Sequence, residues 1–137
     1  MQRVLFLCIR NSARSQMAEG LLRALAPDRY EVASAGVEAG ALRPEAVTVM
    51  AEIGIDISGQ RSKAASEFAG EMFDVVVTTC DEAKEACPIF PGAKRTLHWG
   101  FPDPAAIEGS QEKRVAAFRD VRNGLRDAIK QEFEPTD

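Results

Sequence analysis

The sequence predicts an α/β domain built on a parallel sheet, and three observations carry this. Short apolar runs alternate with segments whose apolar residues recur at helical spacing. Val4-Leu5-Phe6-Leu7 and Val75-Val76-Val77-Thr78 carry no charged residue, as expected of strands buried on both faces of a parallel sheet. The chain has 137 residues, 45% hydrophobic and 28% charged, which suits one domain over 1–137 around one core.

The elements follow in order. The first strand runs into Cys8, and a polar, irregular stretch leads to Arg14. A helix is expected from Ser15, with Met17, Leu21 and Leu25 on one face and Pro27 as its stop. Tyr30 to Ala35 reads as a second strand and Gly36 to Leu42 as a loop. Pro44 suits a helix start, Ala46, Met50 and Ile53 supply its apolar face, and Gly54 ends it. Ser62 to Phe68 is expected as a further short helix. Asp74 introduces the third strand. Cys80 to Cys87 reads as helical, with Asp81, Glu82, Ala83, Lys84, Glu85 and Ala86 between the thiols, until Pro88 and Pro91 break it. Leu97-His98-Trp99 sits in a weak fourth strand, and Gly100 to Gly109 is a loop carrying Asp103-Pro104. Phe118, Val121, Leu125 and Ile129 mark a long amphipathic helix, and the tail 134–137 is expected to fray.

This alternation implies right-handed crossovers, with ligands bound outside the carboxyl ends of the strands. Cys8 and Cys80 each follow a strand, so they are expected on one rim, which Asp103 can also reach. The net charge of -4 argues against a general nucleic-acid or anionic-membrane surface, but it allows a local anion pocket. No apolar run approaches the roughly 20 residues that span a bilayer. The run before Cys8 is too short for a signal peptide, so a cytoplasmic protein is expected, with no membrane or nucleic-acid partner and as a monomer. Three cysteines, an odd number, argue against a structural disulfide framework and leave redox, catalytic or metal roles.

The first motif is Cys8-Ile9-Arg10-Asn11-Ser12-Ala13-Arg14-Ser15. A Cys followed by five residues and an Arg, between a strand and a helix, is an oxyanion-binding loop. Curled before a helix N-terminus, it aims backbone N–H groups inward, where the helix dipole adds positive potential. Arg14 can grip a tetrahedral oxyanion with two parallel donors. The same field favours a thiolate at Cys8, and Ser15 can donate to the sulfur. Asn11 tolerates the left-handed backbone that a tight loop needs. The bland alternative is a buried Cys at a strand end and a solvated Arg.

The second motif is the pair Cys80 and Cys87. In a helix their Cα atoms would lie about 10.5 Å apart at roughly 1.5 Å per residue. A disulfide needs them within about 7 Å. Bonding therefore requires the segment to unwind, which makes it a candidate redox switch, helical when reduced and looped out when oxidised. Two unrelated cysteines remain the alternative. A zinc site using the three Cys and His98, the single histidine, lacks a Cys-x-x-Cys pair, and no metal is expected. The third motif, Asp103-Pro104, is common in turns; placed after the fourth strand, Asp103 can lean over Cys8 as a general acid.

Taken together, the chain resembles the thioredoxin-coupled arsenate reductases of the low-molecular-weight protein tyrosine phosphatase superfamily. The likeness rests on Val4 to Cys8, Asn11-Ser12, Arg14-Ser15, Ser34-Ala35-Gly36, Gly54 to Ser58, Val76 to Cys80, Cys87-Pro88, His98 to Phe101 and Asp103-Pro104. It implies a four-stranded parallel open sheet flanked by helices on both faces. It also implies an oxyanion ring from residues 8–14: Cys8, Ile9, Arg10, Asn11, Ser12, Ala13 and Arg14. Arsenate is the implied substrate, with phosphate and sulfate as mimics. Cys8 would attack arsenate held by Arg14, and Asp103 would protonate the leaving oxygen. Cys80 would then release arsenite, and Cys87 would take over the disulfide as Cys80–Cys87. No bound cofactor is implied; the reductant is external, namely thioredoxin with thioredoxin reductase and NADPH.

Two departures matter. The family loop usually has Gly where this chain has Arg10. Some relatives bind potassium behind the loop through the equivalents of Asn11, Glu19 and Ser34 and an Asp, and that last position here is Lys63. Its ammonium is expected to replace the ion as partner of Glu19. The rival activities are a tyrosine phosphatase, a redox sensor without turnover, and coupling to glutaredoxin in place of thioredoxin. Against the phosphatase stand the lack of aromatic residues in Val37 to Val47, the small pair Ala105-Ala106, and the presence of Cys87.

Overall fold

The structure is a computed structural model, and it describes residues 1–81 and 85–133. Residues 82–84 of the expected switch helix, and the tail 134–137 expected to fray, lie outside the described residues. The elements are β1 (Gln2–Cys8), α1 (Arg14–Leu25), β2 (Tyr30–Gly36), α2 (Pro44–Ala51), a 3-10 turn (Ala65–Phe68), β3 (Phe73–Thr78), β4 (Ala93–His98), a second 3-10 turn (Pro104–Ala106) and α3 (Gln111–Phe133).

The four strands form one sheet in the order β2-β1-β3-β4, with every pairing parallel. The central strand β1 explains its own sequence. Val4, Leu5, Phe6 and Leu7 are fully buried because alternate residues face two separate apolar layers. Val4 and Phe6 meet Met17, Leu21 and Leu22 of α1, Met50 of α2, and Phe118, Leu125 and Ile129 of α3. Leu5 and Leu7 meet Ala35, Phe73 and Val76, covered by Phe68 of the first 3-10 turn and by Phe90. Among the described residues the three α-helices thus pack on one face, and the other, where the resemblance also implies helices, is closed by a single 3-10 turn with the segment before β4.

Three expectations need adjusting. Leu25, read as inward, is exposed, and Leu22 takes its place in the core because the buried apolar stripe of α1 runs through Met17, Ala18, Leu21 and Leu22. The helix expected over Ser62 to Phe68 shrinks to Ala65–Phe68, because Ser62 and Lys63 bond instead to the loop after β1. The stretch from Cys80 carries no helix at Cys80, Asp81 or Glu85 to Cys87, where a Cys80–Cys87 disulfide brings the Cα atoms to 5.9 Å. No helix among the described residues is long and apolar enough to cross a membrane.

Candidate active site

β1 ends at Cys8, and the chain curls through 9–13 before α1 starts at Arg14. Asn11 makes the curl possible with φ of 52°, the left-handed backbone its residue type tolerates. The curl folds back on the thiol, so that the Asn11 backbone N–H donates to Cys8 Sγ at 3.2 Å. Ser15 Oγ lies 2.8 Å from the same sulfur. Asn11 Nδ2 donates to Ser15 Oγ, which leaves the hydroxyl proton to point at the sulfur. Cys8 is only 2% exposed. The sulfur, held by these two partners, lines a cavity of about 120 Å³ together with Ile9, Arg10, Ser12, Ala13, Arg14, Glu85 and Asp103.

The loop is held from behind by a continuous polar chain. Asn11 uses its whole side-chain amide: Nδ2 also donates to Ser34 Oγ, and Oδ1 accepts from Gln16 Nε2 and the Lys63 backbone N–H. Ser34 Oγ donates to Glu19 Oε1 at 2.5 Å. Glu19 lies between two cations, Arg23 Nη2 at 2.7 Å and Lys63 Nζ at 3.8 Å. Burial pulls the Lys63 ammonium below the usual lysine range, and the Glu19 carboxylate partly offsets that pull. Lys63 Nζ thus lies beside Glu19 while it donates to the Arg61 carbonyl at 2.6 Å. Arg23 and Gln16 are supports that sequence reasoning missed, although Arg23 stands at the i+4 position from Glu19 that ion pairing on a helix favours.

Arg14 is 4% exposed and aims into the cavity. Its Nη1 donates to the Phe101 carbonyl at 3.1 Å, and both Nη atoms fork onto Glu85, at 2.5 and 2.8 Å. Phe101 itself lies against Gly124 of α3, where any Cβ would fall 2.6 Å from its ring. Burial lowers the affinity of Arg14 for its proton; Glu85, with the nearby Cys8 and Asp103, outweighs burial and keeps it above its ordinary value. The hydrogen bond from Arg14 holds the Glu85 carboxyl below the usual carboxylate range. Glu85 is a further residue that sequence reasoning missed, after Arg23 and Gln16.

Asp103 lines the cavity while its Oδ1 accepts from the Ala105 N–H and caps the Pro104–Ala106 turn. Arg10, the departure from the family loop, lines the cavity with a side chain that is 70% exposed and 3.9 Å from Glu38. Cys80 is fully buried and follows β3, whose Thr78 pairs with Leu7 of β1; Cys8 and Cys80 therefore share the rim. The Thr79 N–H donates to the Leu7 carbonyl at 2.8 Å, which locks the two strand ends together.

A buried thiol at the start of a curled loop, an arginine aimed into the same cavity and a disulfide just past the neighbouring strand meet at one rim of the sheet. The chain belongs to the low molecular weight phosphotyrosine protein phosphatase family, which matches residues 3–135. It is similar to an arsenate reductase of Halalkalibacterium halodurans, 46% identical over 127 residues that cover 93% of this chain and 91% of that protein. Among solved structures it is similar to an arsenate reductase in the oxidised state, with a TM-score of 0.80 and 32% identity, covering 96% of this chain and 95% of that one. It is also similar to a thioredoxin-dependent arsenate reductase of Corynebacterium glutamicum, with a TM-score of 0.65 and 28% identity, covering 96% of this chain and 61% of that one.

Proposed function

We propose that this chain, acting as one domain, reduces arsenate to arsenite through a relay of Cys8, Cys80 and Cys87, and that thioredoxin resets it. The Cys80–Cys87 disulfide on the rim beside the Cys8 cradle carries the reading. Arg14 and the N–H groups of the loop 8–14 bind the oxyanion. The Cys8 thiolate displaces one arsenate oxygen, which leaves as water with a proton from Asp103. Cys80 then attacks Cys8 sulfur; the sulfur–arsenic electron pair stays on arsenic, arsenite departs, and a Cys8–Cys80 disulfide forms. Cys87 attacks Cys80, which frees Cys8 as a thiolate and leaves Cys80–Cys87. An external dithiol takes that bond back to two thiols and becomes a disulfide itself. The relative named thioredoxin-dependent supports thioredoxin as that dithiol.

The test is arsenate-dependent NADPH oxidation in the presence of thioredoxin and thioredoxin reductase. Turnover is expected in the wild type and none with Cys8→Ser. A wild type silent in this assay but fast on phenyl phosphates would make the chain a tyrosine phosphatase instead. The residues lining the cavity argue against that, since none is aromatic and a phenyl ring needs such walls.

The supporting chain has its own reading. The Lys63 ammonium, with Arg23, supplies the positive charge that Glu19 needs, so no potassium ion is required. Replacing sodium by potassium at constant ionic strength is expected to leave kcat/KM for arsenate unchanged. A steep rise with potassium would reject this reading.

A further inference from the structure

The Glu85 carboxylate occupies the guanidinium that an oxyanion would need. Both Nη atoms of Arg14 are engaged by its two oxygens, and the pair is nearly closed to solvent, with the Glu85 side chain 19% exposed. Glu85 is anchored at its base as well: its N–H donates to the Asp81 carbonyl at 2.8 Å, and its Oε1 accepts from the Asp81 N–H at 2.8 Å. Asp81 and Glu85 both lie inside the ring that the Cys80–Cys87 disulfide closes. The anchor of the carboxylate is therefore part of the oxidised segment.

We propose that Glu85 is a redox-coupled internal anion: while Cys80 and Cys87 are bonded, it fills the oxyanion site, and reduction withdraws it so that substrate can bind. The proposal rests on the oxyanion reading of the loop given above. An oxidised molecule has no use for arsenate, since Cys80 is already spent. Phosphate or arsenate held there would only add negative charge beside the cradle while the reductant works. A carboxylate on the same fork excludes either one by direct competition for Arg14 and by like-charge repulsion. On reduction the external dithiol delivers two electrons and two protons, the sulfur–sulfur bond breaks, and the dithiol leaves as its own disulfide. On reduction the ring opens, so Asp81 and Glu85 are no longer tied to a closed segment and the carboxylate can leave the Arg14 fork.

Linkage makes the coupling reciprocal: if oxidation weakens anion binding, bound anion must favour the dithiol. The experiment measures phosphate affinity by calorimetry for wild type, Glu85→Gln and Glu85→Ala. Each is taken fully reduced and also oxidised with diamide, the Cys80–Cys87 linkage being verified by peptide mass mapping. Oxidised wild type is expected to bind phosphate about tenfold or more weakly than reduced wild type, within the usual range of coupling between sites. In both variants the two forms should bind within about a factor of two of each other, because the competing charge is gone. Saturating phosphate should also raise the Cys80–Cys87 potential of the wild type, by about 30 mV for a tenfold coupling. Equal affinity in the two wild-type forms would overturn the proposal while leaving arsenate reduction standing. Oxidised variants as weak as oxidised wild type would also overturn it, because the block would then lie in the loop itself. A reduced wild type that binds no phosphate would remove the oxyanion site, and both readings with it.

Discussion

The Cys87→Ser protein is expected to release one arsenite per molecule and then stop, with steady-state turnover in the presence of thioredoxin down by about 10³-fold or more. The arrest follows from where the sulfurs lie. Cys8 is 2% exposed and Cys80 is fully buried, so a disulfide between them is closed to a protein reductant. Cys87 is partly exposed and lies on the segment between β3 and β4, where an incoming thiolate can reach it. The third thiol thus moves the oxidation from a sheltered bond to an accessible one, at little thermodynamic cost, since one disulfide replaces another. A single-turnover experiment without reductant gives the counts. The wild type should lose two of its three thiols, and Cys87→Ser should lose both of the two it has left. Cys80→Ser should fail earlier, without releasing arsenite. Near-normal steady turnover by Cys87→Ser would mean that the reductant reaches the buried pair directly, and the relay would then need only two thiols.

Much of this was legible in the sequence, for physical reasons that differ by element. β1 and β3 are apolar on both faces, and a parallel sheet is the usual reason for such runs. The curl from Cys8 to Arg14 announced itself through residue types that serve it locally, with Asn11 for the left-handed turn and Ser15 for the sulfur. The sequence marks β4 only at Leu97-His98-Trp99, yet the strand runs Ala93–His98. As an edge strand it exposes Lys94, Arg95 and Thr96, so no apolar pattern marks it. The unread partners of Arg14, unlike the local supports Gln16 and Arg23, are contacts across long stretches of chain. Glu85 meets Arg14 from 71 positions away, and Phe101 does so from 87. Periodicity carries no trace of such pairs. A Glu inside a stretch suspected of refolding, in a chain with a known arginine anchor, was the one available hint.

The Gly36→Ala protein is expected to lose about 100-fold in kcat/KM for arsenate and about 1–3 kcal/mol of stability, through a single methyl group. Gly36 ends β2 directly beside Cys8, its partner in the sheet register. A Cβ there would sit 2.6 Å from the Ile9 carbonyl oxygen, 2.7 Å from the Asn11 nitrogen and 2.8 Å from the Arg10 carbonyl carbon. All three are backbone atoms of the oxyanion loop, so no side chain can rotate aside to make room. Gly36 is also fixed from the other side, where its N–H donates to the Lys63 carbonyl at 2.9 Å. The strain must therefore displace the loop, and a shift of the order of 1 Å in a positioned site is enough for that loss of rate. Gly59→Ala is the control, because nothing lies within 4 Å of a Cβ at that position. Denaturant melts and steady-state kinetics on the two variants separate the effects. The methyl at 36 should weaken phosphate binding to the reduced protein, yet leave the Cys80–Cys87 pair able to form under diamide, since that segment does not touch Gly36 in the contacts above. A Gly36→Ala protein with wild-type kcat/KM would show that the loop tolerates displacement, and the oxyanion geometry argued for Cys8 and Arg14 would no longer be the source of the rate.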